Sequence, residues 1–287
     1  MGGKPKVRGE KMKLKHTKVE LPLLCTVILL GMTCMPVLAA TYRSITFENA
    51  SIGNYQGADT NGNNGYWTLT DSGTNYKIAT KNSVAEGIVT KPAISTAEHY
   101  EGSKSLRMFF YANTTGHTPG EKTLIDVCSD TNSFAPVWGQ KTAVSFAIKL
   151  PTNFQAPGSN LMLCEWWNGS GGAALTLYIK PGTTQWAVDM CGNAGTYTIT
   201  GNTLTRGSWY TFAIECKPAW NVNGVVSVWQ NGTKVFSNSS HPIGFDPGTS
   251  TRKFAVCVGL YRPGCNTTAE AYFDKIKFGD SFSDVRY

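Results

Sequence analysis

The segment Phe254-Ala-Val-Cys-Val-Gly-Leu-Tyr-Arg262 reads as a β-strand: Phe254, Val256, Val258 and Leu260 alternate with Ala255, Cys257, Gly259 and Tyr261. The first set is a row of large apolar groups that must meet a core. The second is nearly bare until Tyr261, and Arg262 stands next to it. A sheet face of small residues that ends in a phenol and a guanidinium suits a ligand lying flat upon it. The plainer reading is that a loop covers the small residues and Tyr261 caps that loop.

Strands of the same kind flank this one. Gly207-Ser-Trp-Tyr-Thr-Phe-Ala-Ile-Glu215 alternates ahead of a turn-rich passage from Pro218 to Gly224. Val225-Val-Ser-Val-Trp-Gln230 enters Lys234-Val-Phe236 through Asn231-Gly232, a pair that favours a two-residue hairpin turn. Glu270 to Phe278 makes the last strand. Upstream, Leu106, Met108 and Phe110 share one face of a strand whose other face carries Arg107, Phe109 and Tyr111. Lys122–Val127, Thr142–Pro151, Asn160–Gly169, Ala174–Lys180 and Gln185–Met190 continue the pattern. Parity sets Glu165 and Trp167 on one face of their strand, and Thr176, Tyr178 and Lys180 on one face of theirs. From Thr41 onward no helical period is sustained, and short alternating runs are separated by Gly, Asn, Pro and Thr. This predicts an all-β sandwich of two antiparallel sheets. With no internal repeat and no Pro- or Ser-rich linker, a single domain is expected over residues 41–287.

The formal charge of +7 on 287 residues invites a polyanion or nucleic-acid reading, but its location argues against it. Lys4, Lys6, Arg8, Lys11, Lys13, Lys15 and Lys18 stand against Glu10 and Glu20 in residues 1–40, which leaves +2 for the remainder. No nucleic-acid partner is expected. The basic start, the uncharged run Leu21–Ala40 and the small residues before Thr41 describe a secretory signal, with cleavage after Ala39 or Ala40. The chain is then secreted, or periplasmic, with no membrane contact after cleavage. An uncleaved anchor is the alternative, because the run approaches spanning length; Pro22, Gly31 and Pro36 favour cleavage. Six cysteines follow the signal: Cys128, Cys164, Cys191, Cys216, Cys257 and Cys265. Their even number suggests disulfides in an exported chain, and Cys257 with Cys265 would clip the loop carrying Tyr261. No Cys/His spacing has the form of a zinc site.

Taken in order, Gly207-x-Trp209, Val226-x-Val228-Trp229-x-Asn231-Gly232, Gly259-Leu-Tyr-Arg262 and Tyr272-Phe-Asp-Lys-Ile-Lys-Phe-Gly279 resemble the C-terminal half of polysaccharide lyases of the heparin lyase and glucuronan lyase group. The resemblance implies a concanavalin A-like β-jelly-roll in which the segment from Tyr42 to Phe47 lies beside Tyr272–Phe278. It places a catalytic tyrosine at Tyr261 and a cleft cation at Arg107. Two positions depart from the family. Its Arg-x-Glu pattern is replaced by Leu124, Ile125 and Asp126, and its Gln-Trp-His by Glu165, Trp166 and Trp167. The usual histidine is therefore absent.

The resemblance implies elimination at a uronate in an acidic polysaccharide. That reaction requires the carboxylate's charge to be offset, a base for the proton at C5 and an acid for the leaving oxygen. Tyr261 is the candidate for both proton transfers, with cations needed to lower its pKa from about 10. Arg107 and His117 are the further catalytic candidates. Arg262, Glu165, Trp167, Asn168, Tyr178, Lys180 and Trp220 are the expected substrate contacts, the tryptophans as stacking platforms and Trp166 as a core residue. No cofactor is expected, a structural calcium is left open, and the protein is read as a monomer. A non-catalytic carbohydrate-binding module of the same fold is the alternative. A retaining hydrolase fits least, because its paired carboxylates on one strand are missing.

Overall fold

The computed structural model describes residues 41–57, 65–81, 91–111, 121–128, 135–168, 172–251, 253–262 and 267–287. The leader, His117 and Cys265 lie outside them. The strands, numbered in chain order, form two antiparallel sheets. The eight-stranded sheet holds β1 (Thr41–Ile45), β5 (Ala93–Ser95), β6 (Ser105–Phe110), β8 (Thr142–Lys149), β13 (Trp209–Lys217), β14 (Val225–Gln230), β15 (Thr233–Asn238) and β17 (Ala269–Gly279). The nine-stranded sheet holds β2 (Ser51–Gln56), β3 (Gly65–Asp71), β4 (Thr74–Lys81), β7 (Glu121–Cys128), β9 (Leu161–Trp167), β10 (Ala173–Ile179), β11 (Gln185–Gly192), β12 (Gly195–Thr203) and β16 (Ala255–Arg262). Its order is β12-β11-β10-β9-β16-β7-β4-β3-β2, so β16, late in sequence, lies in the middle between β9 and β7. The eight-stranded sheet runs β15-β14-β13-β8-β17-β6-β5, and β1 also pairs with β17, Ile45 facing Ile276. The first and last strands are neighbours, as a jelly roll requires.

The alternation seen in the sequence is what makes two layers. Each strand turns its apolar parity inward, and the facing sets meet in one core that includes Phe110, Phe146, Phe212, Phe254, Phe273, Trp166 and Trp186. Burying each such side chain contributes roughly 1.5–3 kcal/mol. The two indoles also bond across the gap. Trp166 Nε1 donates to Thr142 Oγ1 at 3.3 Å, and Trp186 Nε1 to Gln230 Oε1 at 3.2 Å, so neither leaves a buried donor unpaired. The β14–β15 hairpin turns at Asn231 and Gly232, φ 51° and 75°, the left-handed pair that matches strand twist. Asn231 Oδ1 accepts the Thr211 amide at 2.9 Å and fixes the turn on β13. The short helix α1 (Phe282–Val285) lies on the outer face of the eight-stranded sheet, where Phe282 stacks on Trp229 at 4.1 Å.

Cys164, Cys191, Cys216 and Cys257 are free thiols, in contrast to the disulfides expected from the even number of cysteines. Cys257 Sγ donates instead to Asp126 Oδ1 at 3.2 Å.

Candidate active site

The outer face of the nine-stranded sheet is assembled by register. One row crosses six strands: Asp126 on β7 is opposite Cys257 on β16, Cys257 opposite Glu165 on β9, Glu165 opposite Thr176 on β10, Thr176 opposite Asp189 on β11, and Asp189 opposite Thr198 on β12. A second row runs Lys122, Tyr261, Met162, Tyr178, Ala187 and Thr200. Met162 has the parity of core residue Cys164, yet it pairs with Tyr178, because the register against β10 takes an extra residue of β9 between Cys164 and Met162. Against β16 the extra residue lies on β16, between Val258 and Tyr261. Gly259 has the matching role on β16. Its φ is 149°, and a Cβ there would stand 2.2 Å from the Thr123 carbonyl and 2.8 Å from Met108 Sδ. Only glycine allows this approach, and the kink it permits carries Tyr261 into its place on the row.

Tyr261 packs on a small cluster of Leu124, Ala255 and Cys257 that are almost closed to solvent. This dryness sets the electrostatics. Burial pushes the Glu165 carboxyl up to about 7, with Lys122 drawing it down and Asp126 adding to the rise. Burial, followed by the Glu165 charge, raises the Tyr261 phenol. Burial, and after it the Asp126 and Glu165 charges, pushes the Cys257 thiol well up, so this sulfur stays protonated and is no nucleophile. On the next strands, Asp189 Oδ1 accepts Tyr178 Oη at 3.1 Å and Thr198 Oγ1 at 2.6 Å. Burial and that carboxylate push Tyr178 up to about 12.

The structure brings Tyr261, Glu165, Trp167 and Tyr178 together on this face, with Lys180 where β10 enters its turn. Trp167, 38% exposed, is open enough to be stacked upon. Other expected residues lie elsewhere. Arg107 is on β6 in the opposite sheet, where Nε donates to Glu270 Oε1 at 2.7 Å. Arg262 follows Tyr261 and so points to the other side. It is fully buried, with Nη2 donating to the Tyr111 carbonyl at 3.2 Å and its guanidinium 5.5 Å from the Phe110 ring centre. Neither arginine lowers the Tyr261 pKa, and the phenol moves the opposite way. Asn168 is buried, and Trp220 belongs to the loop after β13 of the other sheet. Sequence reasoning missed Lys122, Asp126 and Asp189 as members of the site. The parity of β7, Lys122-x-Leu124-x-Asp126 outward against Thr123, Ile125 and Val127 inward, was the signal for the first two. Among the described residues no group of three or more His, Cys, Asp or Glu side chains is arranged to hold a metal ion.

Residues 63–277, about three quarters of the chain, match the family model described as polysaccharide lyase. The chain belongs to this family. Among solved structures, the lyase is similar to endo-β-1,4-glucuronan lyase from the fungus Trichoderma reesei, with 19% identity, a TM-score of 0.55, and 68% of this chain and 89% of that one covered. It also matches alginate lyase A1-II′ of polysaccharide lyase family 7 at 15% identity and TM-score 0.47, covering 67% and 85%. A third match is the PL-14 alginate lyase of Aplysia kurodai, at 12% identity and TM-score 0.45, covering 66% and 87%. At such identities the likeness to the glucuronan lyase establishes the lyase's jelly-roll fold and leaves its chemistry to the site. No curated protein sequence matches the lyase.

Proposed function

We propose that the protein is an exported lyase that cleaves a uronate-containing polysaccharide by β-elimination, with Tyr261 as the acid and Glu165 as the base. The observation that carries this is the pairing of Glu165 and Tyr261 on one dry sheet face, where their environments push a carboxyl towards neutrality and keep a phenol protonated. A carboxylate with a pKa near the working pH is a competent general base, and a protonated phenol a competent general acid. Lys122, level with Tyr261 in the register, offsets the charge of the uronate carboxylate, and that makes the C5 proton removable. Glu165 takes this proton. The electron pair left behind forms the C4–C5 double bond, the C4–oxygen bond breaks, and the Tyr261 proton passes to the leaving oxygen. Trp167 gives a stacking surface to the sugar ring. Export rests on the basic, then apolar, then small-residue order of residues 1–40. Among the described residues, no helix is long and apolar enough to cross a membrane.

The test is the ultraviolet absorbance of the conjugated double bond, which hydrolysis does not produce, on a panel of uronate polymers. Tyr261→Phe lowers kcat by about 10²–10⁴ with KM little changed. Activity that survives this substitution removes the tyrosine from the mechanism. A Glu165→Gln variant that keeps full kcat assigns both proton transfers to Tyr261 and makes Glu165 a partner of the substrate carboxylate.

A further inference from the structure

We propose that the β9–β12 side of this face is a subsite for an uncharged sugar, so that the substrate is a heteropolysaccharide in which uronates alternate with neutral residues. This rests on the lyase reading above and adds to it the identity of the neighbouring sugar. From Leu161 to Thr203 the sequence holds three charged residues, Glu165, Lys180 and Asp189. Lys180 stands at the turn beyond Tyr178, at the Tyr261 end of β10. What remains across β10, β11 and β12 is Thr176, Asp189 and Thr198 in one row. Tyr178 and Thr198 hold one Asp189 oxygen; the second, Oδ2, accepts no hydrogen bond from a described residue. An oriented carboxylate oxygen on a half-dry surface accepts sugar hydroxyls and repels a carboxylate or sulfate. Exposed Trp167 adds an aromatic surface at the near edge.

The opposite side has the reverse character. Lys122 on β7 and Lys77 on β4 carry the cations, Lys77 lying 5.0 Å from the Tyr66 ring centre. Asp126 also stands on β7, so Lys77 and Lys122 leave this side net basic, while Glu165 and Asp189 against Lys180 leave the other net acidic. β7 and β11 lie four strand spacings apart, about 19 Å, which is several sugars along a polymer. A homopolyuronate carries a carboxylate on every sugar and must set one over Asp189, whereas an alternating chain can set a neutral sugar there.

The experiment compares initial rates of unsaturated product from hyaluronan, an alternating uronate–N-acetylhexosamine polymer, with those from poly-β-glucuronate, alginate and heparin. Gel retardation of the Tyr261→Phe variant by the same polymers reads binding without turnover. The expected result is kcat/KM at least about tenfold higher on the alternating polymer, the same order in retardation, and a KM for poly-β-glucuronate that falls in Asp189→Lys. Asp189→Asn, which keeps size and shape, gives the same direction with a smaller change if the lysine variant fails to fold. Preference for a homopolyuronate or for heparin overturns the subsite while the lyase reading stands. Unsaturated product from no polymer overturns the lyase reading. Retardation then judges the subsite alone: retention by hyaluronan over the homopolyuronates supports it, and the reverse order or no retention overturns it.

Discussion

With a pKa pushed up to about 7 against an ordinary 4.5, Glu165 holds its proton more tightly in the folded chain than in the unfolded one. Its contribution to stability is full below about pH 4.5 and is lost as the pH rises through 7, up to about 3 kcal/mol. As a base it must be ionised, so activity rises over the same window in which stability falls. Glu165→Gln should abolish the rising limb of kcat centred near pH 7 and flatten the dependence of Tm on pH between about 5 and 8, by calorimetry and stopped-time assays. A rate profile unmoved by the substitution would remove Glu165 as the base. Such side chains were legible in the sequence when their neighbours had one clear parity: Tyr261, Glu165, Trp167 and Tyr178 all stand on the outer face. Arg107 and Arg262 were misplaced for different reasons. Arg107 sits on a strand of the other sheet, which no alternation reveals, and the parity that turns Tyr261 outward turns Arg262 inward.

Two strands break register at the same level. Gly259 on β16 and the extra residue in β9 both lie just before the row that holds Tyr261. A methyl at Gly259 must displace the Thr123 carbonyl of β7 and also adopt a backbone angle that costs about 1–3 kcal/mol. Gly259→Ala is accordingly expected to lower the urea midpoint and to reduce kcat by more than the loss of stability explains, because the phenol shifts with the strand. A variant of normal stability and normal kcat would show that the kink does not position Tyr261. This device was not legible beforehand. The sequence shows a glycine among small residues, and its meaning depends on a carbonyl from a strand more than a hundred residues away.

The sandwich itself was the most legible feature, since it follows from alternating strands, a turn pair at Asn231-Gly232 and the absence of any helical period. The charge map was less so. A net +2 for residues 41–287 describes a nearly neutral molecule, whereas the fold leaves the β4–β7 side of Tyr261 net basic, with Lys77 and Lys122 against Asp126, and the β9–β12 side net acidic, with Glu165 and Asp189 against Lys180. Sheet order carries a further demand. β17 lies between β8 and β6 and also pairs with β1, so the last strand is the centre of its sheet. Chains ending before Ala269 are expected to show no cooperative thermal transition and no protease-resistant domain, while removal of residues after Gly279 leaves both sheets and costs the α1 cover and the Tyr42–Asp280 hydrogen bond. A resistant domain in the shorter chains would contradict this order.

The centrality of β17 also sets the timing of folding during synthesis. A ribosome that has made 260 or so residues has released nothing that can close the eight-stranded sheet, because the strand on which β1, β6 and β8 all rest has yet to be made. The sandwich therefore stays unclosed in the nascent chain until β17 has been made, which suits the export proposed above.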